Sequence, residues 1–73
     1  MTVYQFISSF TNVGVLEYID VKCGFGFDRC YIAAMDWRKY LRNFLDNWGE
    51  CSIVSFQIIN RHDSLALILN IET

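Results

Sequence analysis

Residues 36–49, DWRKYLRNFLDNWG, carry the strongest structural signal in this chain. Their apolar side chains recur at every third or fourth position, which is the spacing of one face of an amphipathic α-helix. These side chains are Trp37, Tyr40, Leu41, Phe44, Leu45 and Trp48. Asp36 is a residue type that caps helix N-termini, and Gly49 stands where a left-handed C-terminal cap is favoured. The pattern predicts a helix that buries its apolar side against another layer.

Two strand patterns follow this helix. Residues 51–59 alternate apolar and polar side chains, whereas residues 65–71 are apolar on both sides. Residues 60–64 between them are a run of turn formers. A strand that is apolar on both sides is typical of the centre of a sheet. Residues 51–72 therefore predict a β-hairpin whose second strand is central.

The N-terminal third predicts another hairpin. Residues 3–10 and 15–27 have strand character and residues 12–14 are a turn signal, so a hairpin is expected over residues 2–27. Residues 29–35 either add a fifth strand or lead directly into the helix. The predicted fold class is α+β, with the order hairpin–helix–hairpin (ββαββ) and one helix packed on a four-stranded or five-stranded sheet. In element order alone it resembles the β-grasp of small immunoglobulin-binding domains.

Residues 22–28, KCGFGFD, contain the letters of a base-stacking strand. RNA-recognition and cold-shock domains use aromatic side chains in such stretches to stack nucleic-acid bases. Here the strict alternation puts Phe25 and Phe27 on the same side as the apolar Ile19 and Val21. We therefore predict that both phenylalanines are buried core residues and that the likeness does not extend to function.

The composition excludes several classes of protein. The chain has 73 residues, of which 53% are hydrophobic and 19% charged, and its net charge is −2. We therefore predict one globular domain, residues 1–73, rather than a disordered chain or a strongly basic nucleic-acid binder. The aliphatic run at residues 65–69 is too short to cross a membrane, and the N-terminus lacks the pattern of a signal peptide. Without a visible tag or low-complexity tail, we expect a complete small reading frame in the cytoplasm.

Catalytic and metal sites have little support in the sequence. Cys23, Cys30 and Cys51 form no close pair, which favours reduced thiols over a disulfide framework. Because there is no C-x-x-C or H-x-x-H pair, no metal or other cofactor is predicted. His62 lies in the predicted turn, at the far end of its strand from Cys51, so these two residues cannot act as nucleophile and base. We predict that the chain is not an enzyme, and the reactivity of Cys30 stays open.

Half of the six basic residues fall on one part of the predicted helix. Arg38, Lys39 and Arg42 lie opposite its apolar stripe. Two interpretations stay open: an ordinary solvated helix surface, or a basic patch for an acidic protein surface or a phosphate backbone. On the second interpretation these three residues bind a partner.

The second face of the predicted sheet supplies the other candidate partner-binding residues. They are Leu16, Tyr18, Ile53 and Ile68, which the alternation places away from the helix. One helix cannot cover both faces of a four-stranded sheet, and an exposed apolar patch usually marks an interface. The alternative is that residues 29–35 and the chain ends fold over this face.

From these patterns we predict a small non-catalytic intracellular protein, a binding protein or inhibitor that acts by contact with a protein partner. The partner is not identified, and a homodimer is one form that the contact can take. Small apolar domains of this kind suit inhibitors encoded by phages and mobile elements, so anti-defence proteins of the anti-CRISPR type are the first class to consider. The alternative function is a small nucleic-acid-binding domain that uses the basic helix face.

Overall fold

A computed structural model describes residues 1–10 and 12–72 of the chain. In this part the protein is a small α+β domain, with a four-stranded mixed sheet and one main helix. The predicted α+β class, with one main helix and a four-stranded sheet, is therefore confirmed. Thr11, which falls in the predicted first hairpin, and Thr73, which ends the predicted domain, lie outside the described residues.

The elements alternate between helices and antiparallel strand pairs. In chain order they are helix α1 (Val3–Ser8), a 3₁₀ turn (Val13–Val15), strand β1 (Leu16–Cys23), strand β2 (Gly26–Tyr31), helix α2 (Trp37–Trp48), strand β3 (Ser52–Arg61) and strand β4 (Ser64–Glu72). The order across the sheet is β2-β1-β4-β3. The two central strands, β1 and β4, are parallel, and each edge strand is antiparallel to its neighbour. In the part of the chain that the structure describes, no helix is long and apolar enough to span a membrane.

The N-terminal segment is a helix, so the strand predicted for residues 3–10 is wrong. Thr2 and Gln5 form a reciprocal capping box. The Gln5 N–H donates to the Thr2 hydroxyl at 3.1 Å, and the Thr2 N–H donates to the Gln5 side-chain oxygen at 2.9 Å. Val3 and Ile7, one helical turn apart, are buried. Capping and burial together outweigh the β propensity of the individual residues.

The first hairpin spans residues 16–31 and not residues 2–27. Cys23 pairs with Gly26, so the loop consists of Gly24 and Phe25. Gly24 adopts a φ of 57°, and a two-residue hairpin loop with positive φ at its first position favours glycine there. Residues 29–31 belong to β2, and in the described chain the segment 29–35 adds no fifth strand.

The hydrophobic core lies between the sheet and the helices. Ile19, Val21, Leu67 and Leu69 of the two central strands are at most 1% exposed. Within Trp37–Trp48, Phe44 is the one buried residue. Of the rest of the predicted stripe, Trp37, Leu41, Leu45 and Trp48 pack against the core less completely, whereas Tyr40 is 50% exposed. β4 is central, and residues 66–69 are buried, as the apolar pattern on both of its sides predicts. The second predicted hairpin is therefore confirmed.

Both ends of α2 differ from the predicted caps. Asp36 occupies the N-cap position, but its side chain makes no capping hydrogen bond. Gly49 is right-handed rather than left-handed, and a Cβ there would collide with the backbone carbonyl oxygen of Leu45. The Gly49 carbonyl also accepts the Tyr4 N–H at 2.8 Å. A side chain therefore has no room at position 49, where the start of α1 contacts the end of α2, and only glycine fits there.

The two helix caps predict unequal mutational effects. Thr2→Ala removes half of the capping box and should lower the free energy of unfolding by about 1 kcal/mol. Asp36→Ala should lower it by less than about 0.5 kcal/mol, because only the attraction between its charge and the helix dipole is lost. Urea unfolding followed by circular dichroism measures both values. Equal losses in the two variants would contradict this assignment of caps.

Candidate binding surface on the open face of the sheet

Both helices lie on the same face of the sheet. Val3 and Ile7 of α1 and Phe44 of α2 share one core cluster with Ile19 and Leu67. We call this side the helix-covered face and the other side the open face, over which no helix of the described chain lies. The strand register places these side chains on the open face: Tyr18, Asp20, Lys22, Phe27, Arg29, Tyr31, Ser55, Gln57, Ile59, Ala66, Ile68 and Asn70.

The loop of the first hairpin determines which β2 residues reach the open face. Directly paired residues of antiparallel strands share a face, and Lys22 pairs with Phe27. The prediction that Phe25 and Phe27 are core residues is therefore wrong: Phe25, in the loop, is fully exposed, and Phe27 is 56% exposed. The apolar alternation runs unbroken from Ile19 to Phe27, but the two-residue loop reverses the chain within it. The odd-numbered residues of β2 thus face the opposite way from those of β1.

Arg29 lies at the centre of the open face of β1 and β2. Its Nε donates to Asp20 Oδ1 at 2.7 Å and its Nη2 donates to Asp20 Oδ2 at 3.0 Å, which makes a bidentate ion pair. Asp20 is only 2% exposed. Hydrogen bonding to the Asp20 carboxylate raises the pKa of the Arg29 guanidinium above its ordinary value. Arg29 is therefore a permanent cation, held in one orientation.

Three aromatic rings surround this guanidinium. The Arg29 Cζ lies 4.0 Å from the centroid of the Tyr18 ring, 5.4 Å from that of Phe27 and 5.8 Å from that of Tyr31. These distances are in the range of cation–π contacts. Phe27 and Tyr31 are both more than half exposed. We call Tyr18, Phe27, Arg29 and Tyr31 the aromatic–arginine cluster.

Sequence reasoning missed three of the four members of this cluster. Only Tyr18 was a candidate, because the predicted face of Phe27 was wrong and Arg29 and Tyr31 fell in a segment of ambiguous structure. The signal was present in the sequence, since a Gly-X pair between two β-prone runs favours a two-residue hairpin loop. Reading Gly24-Phe25 as that loop predicts the correct face for all of β2.

The structure separates the four candidate residues that were predicted for this face. Tyr18 and Ile68 lie on the open face, where Ile68 is largely covered by neighbouring side chains. The placement of Leu16 and Ile53 is wrong, because both point to the helix-covered face and pack in or against the core. The register shifts by one residue beside each of them. A one-residue shift turns a side chain to the other face of a sheet.

The three predicted basic residues lie on the other side of the molecule. Arg38, Lys39 and Arg42 are exposed on α2, which covers the opposite face of the sheet. The Arg38 guanidinium stacks over the Trp37 ring at 4.5 Å. Arg38 and Arg42 border a groove of about 320 Å³ beside α1. The structure therefore does not bring the basic residues together with Tyr18 and Ile68 in one surface.

The cysteines pack as small apolar side chains. Cys30 is buried, and its desolvation, together with the negative charge of Asp28, raises the pKa of its thiol. A thiol with a raised pKa is protonated at neutral pH and is a poor nucleophile. Asp28 accepts a hydrogen bond from Trp48 Nε1 at 2.8 Å. Among residues 1–10 and 12–72, no three His, Cys, Asp or Glu side chains gather closely enough to hold a metal ion.

The aromatic–arginine cluster offers flat apolar rings, two phenolic hydroxyls and one fixed cation on rigid strands. Such groups bind by stacking, cation–π attraction and hydrogen bonding. No protein-family model, curated protein or solved structure matches this chain. The interpretation of the surface therefore rests on its own geometry and charge.

Proposed function

We propose that this chain is a small non-catalytic binding protein that acts in the cytoplasm by contact of its open face with a protein partner. The supporting observation is the aromatic–arginine cluster, in which exposed rings surround an oriented Arg29. Tyrosine and arginine are enriched at the hot spots of protein interfaces. Rings held on strands and an arginine held by an ion pair lose little conformational entropy on binding, which favours affinity.

The charge of the open face favours a protein over a nucleic acid. The charge of Arg29 is compensated by Asp20. Lys22 adds one positive charge, while Arg61 lines the same hollow as the acidic Glu17. Affinity for a phosphate backbone depends on several cations that each neutralise a phosphate. A nearly neutral aromatic surface is better matched to a protein.

A nucleic-acid-binding domain is the second candidate. It is favoured by the exposure of Phe27 and Tyr31, because bases stack on aromatic side chains that stand on a sheet. In this case Arg38, Lys39 and Arg42 would form a separate contact on the helix-covered side.

The proposal extends to a class of protein and to a fold type. An inhibitor carried by a phage or mobile element, of the anti-CRISPR type, suits an apolar chain of 73 residues.

We also propose that the ββαββ part of the chain, residues 16–72, is β-grasp-like. Its support is the sequence of hairpin, helix and hairpin, with the first and last strands parallel in the centre. An experimental structure with a different strand order would contradict this assignment.

The double variant Phe27→Ser/Tyr31→Ser tests the proposed function. We expect the immobilised wild-type chain to retain a specific protein from an extract of its source cell. The variant should retain it with at least about tenfold lower affinity, because each hot-spot side chain contributes roughly 1–2 kcal/mol or more. Tyr4→Ser removes an aromatic residue of similar exposure from α1, on the helix-covered side, and this control should bind like the wild type.

Nuclease treatment and oligonucleotide binding separate the two candidate functions. Retention of the protein after nuclease treatment supports the protein partner. Binding of single-stranded DNA or RNA that weakens steeply with salt, and is lost in the double variant, would replace it with the second candidate. Equal retention by the wild type and the double variant would contradict both.

A further inference from the structure

A cavity lies between the edge strand β2 and α2, on the helix-covered side of the sheet. Its volume is about 480 Å³, and small-molecule sites in proteins measure about 300–1,000 Å³. Residues 28–31 of β2 line one side of it, and Tyr40, Asn43, Phe44 and Asn47 of α2 line the other. The cavity is therefore large enough for a small organic molecule.

The spacing of the α2 residues explains the composition of that wall. They lie three or four positions apart, so they share one side of the helix. Phe44 belongs to the core, Tyr40 is half exposed, and Asn43 and Asn47 are exposed. The wall therefore passes from a buried aromatic ring to exposed amide groups.

Asp28 supplies the carboxylate of this cavity. Its pairing with Val21 places its side chain on the helix-covered face. Asp28 Oδ1 accepts the Arg29 backbone N–H at 2.9 Å, and Oδ2 accepts the Trp48 indole N–H at 2.8 Å. Both donors are neutral, and among the described residues no cationic side chain forms an ion pair with Asp28. A carboxylate has about four acceptor sites, so Asp28 retains the capacity to bind a charged donor.

The nearest cation in the sequence does not neutralise this carboxylate. The Arg29 guanidinium lies on the open face and binds both oxygens of Asp20. Cys30 lines the same cavity as Asp28. Burial raises the pKa of the Cys30 thiol, and the negative charge of Asp28 raises it further. The cavity is therefore electrostatically negative.

We propose that this cavity binds a small organic cation, whose ammonium group donates to Asp28 and whose apolar part packs against Tyr40 and Phe44. Charge complementarity selects a cation, since a charge-assisted hydrogen bond to a carboxylate is stronger than a neutral one. The faces of aromatic rings also attract cations. This site lies on the helix-covered side, so the inference does not depend on the proposed function of the open face.

Titration with phenethylammonium, followed by amide proton–nitrogen correlation NMR, tests the site. We expect saturable shifts with a dissociation constant of about 1–10 mM, which is usual for so small a ligand. The indole N–H of Trp48 is the most direct reporter, because it donates to Asp28. The indole N–H of Trp37 should not move, because Trp37 does not line the cavity.

Three related ligands test the role of the charge. Phenethyl alcohol has the same ring without the charge and should bind at least about fivefold more weakly. Phenylacetate, an anion, should not bind. N-acetyl-lysinamide presents an ammonium group as a protein side chain does. Tighter binding of this compound than of phenethylammonium would replace the small molecule with a basic side chain of a partner protein.

Matched variants locate the charge that attracts the ligand. Asp28→Asn preserves the shape of the side chain and should raise the dissociation constant about tenfold. Asp46→Asn is the control, because Asp46 is exposed on α2 and does not line the cavity. It should change the constant by less than about twofold. Circular dichroism verifies that each variant is folded.

Tyr40→Ser tests the aromatic wall. Tyr40 is 50% exposed, so its truncation leaves the fold intact, and it should raise the dissociation constant about threefold. This variant and the neutral alcohol still decide the question if Asp28→Asn does not fold.

Four results would overturn the proposal. They are the absence of saturable shifts with phenethylammonium, shifts that leave the Trp48 indole N–H unmoved, equal binding of the neutral alcohol, and binding that neither Asp28→Asn nor Tyr40→Ser weakens.

Discussion

Arg29→Met is expected to lower the midpoint of thermal unfolding by roughly 15 °C. The variant leaves the Asp20 carboxylate, which is 2% exposed, without the guanidinium that binds both of its oxygens. A buried carboxylate without its partner keeps the cost of leaving water and loses the attraction that compensated it. Melting followed by circular dichroism measures the midpoint.

Two further variants separate the ion pair from the general effect of losing a cation. Asp20→Leu/Arg29→Met removes both charges and should recover most of the lost stability, because no buried charge remains. Lys22→Met removes an exposed cation from the same face and should shift the midpoint by less than about 4 °C. If Arg29→Met were no more harmful than Lys22→Met, the structural role of the ion pair would be disproved.

The ion pair also links stability to the proposed binding surface. The same Asp20 that requires Arg29 for stability holds the guanidinium at 4.0 Å from the Tyr18 ring. Substitutions that test binding are therefore better made at Phe27 and Tyr31, which are more than half exposed, than at Arg29. A loss of binding at Arg29 would combine unfolding with loss of contact.

Phe44→Ala is expected to lower the free energy of unfolding by about 3–4 kcal/mol. Phe44 is 4% exposed and joins α2 to the core that the central strands form. Truncation removes the buried ring and leaves a cavity, and both effects destabilise the fold. A domain of 73 residues has a total stability of only about 4–11 kcal/mol. Urea unfolding should therefore show a large fall in the transition midpoint.

Tyr40→Ala is the control on the same helix. Tyr40 is 50% exposed, so its truncation should cost less than about 1 kcal/mol. Phe44→Leu serves as a milder test if Phe44→Ala does not fold, with an expected loss of about 1–2 kcal/mol. A loss at Tyr40 equal to that at Phe44 would contradict the orientation of α2.

Strong local patterns were sufficient to predict α2 and the second hairpin. The apolar stripe of α2 begins at Trp37 and ends at Trp48, which are the bounds of the observed helix. In β4, apolar side chains on both sides predict a central strand, and this is its place in the sheet. Such periodicities extend over many residues and leave one favourable way to bury apolar surface. Patterns of this length therefore predict their helix or strand without information about the rest of the chain.

The N-terminal segment shows where local reasoning fails. A helix of 6 residues is too short to be stable in isolation, since helix nucleation is unfavourable. α1 is held by distant groups: the Val3 N–H donates to the Cys51 carbonyl at 2.9 Å, and the Tyr4 N–H donates to the Gly49 carbonyl at 2.8 Å. These partners lie just after the C-terminal end of α2, far from α1 in the sequence. Residues 3–10 alone therefore do not distinguish helix from strand.

The candidate binding surface depends on pairing between strands. Alternation within a strand shows which residues share a side, and it placed Tyr18 on the open face correctly but not Leu16. Which side faces the helices is set by loop length and by bulges. The Gly24-Phe25 loop turned Phe27 outward, and one-residue register shifts turned Leu16 and Ile53 inward. Because the side-chain period of a strand is two residues, a single shift in pairing reverses the face, and that shift is a property of two strands together.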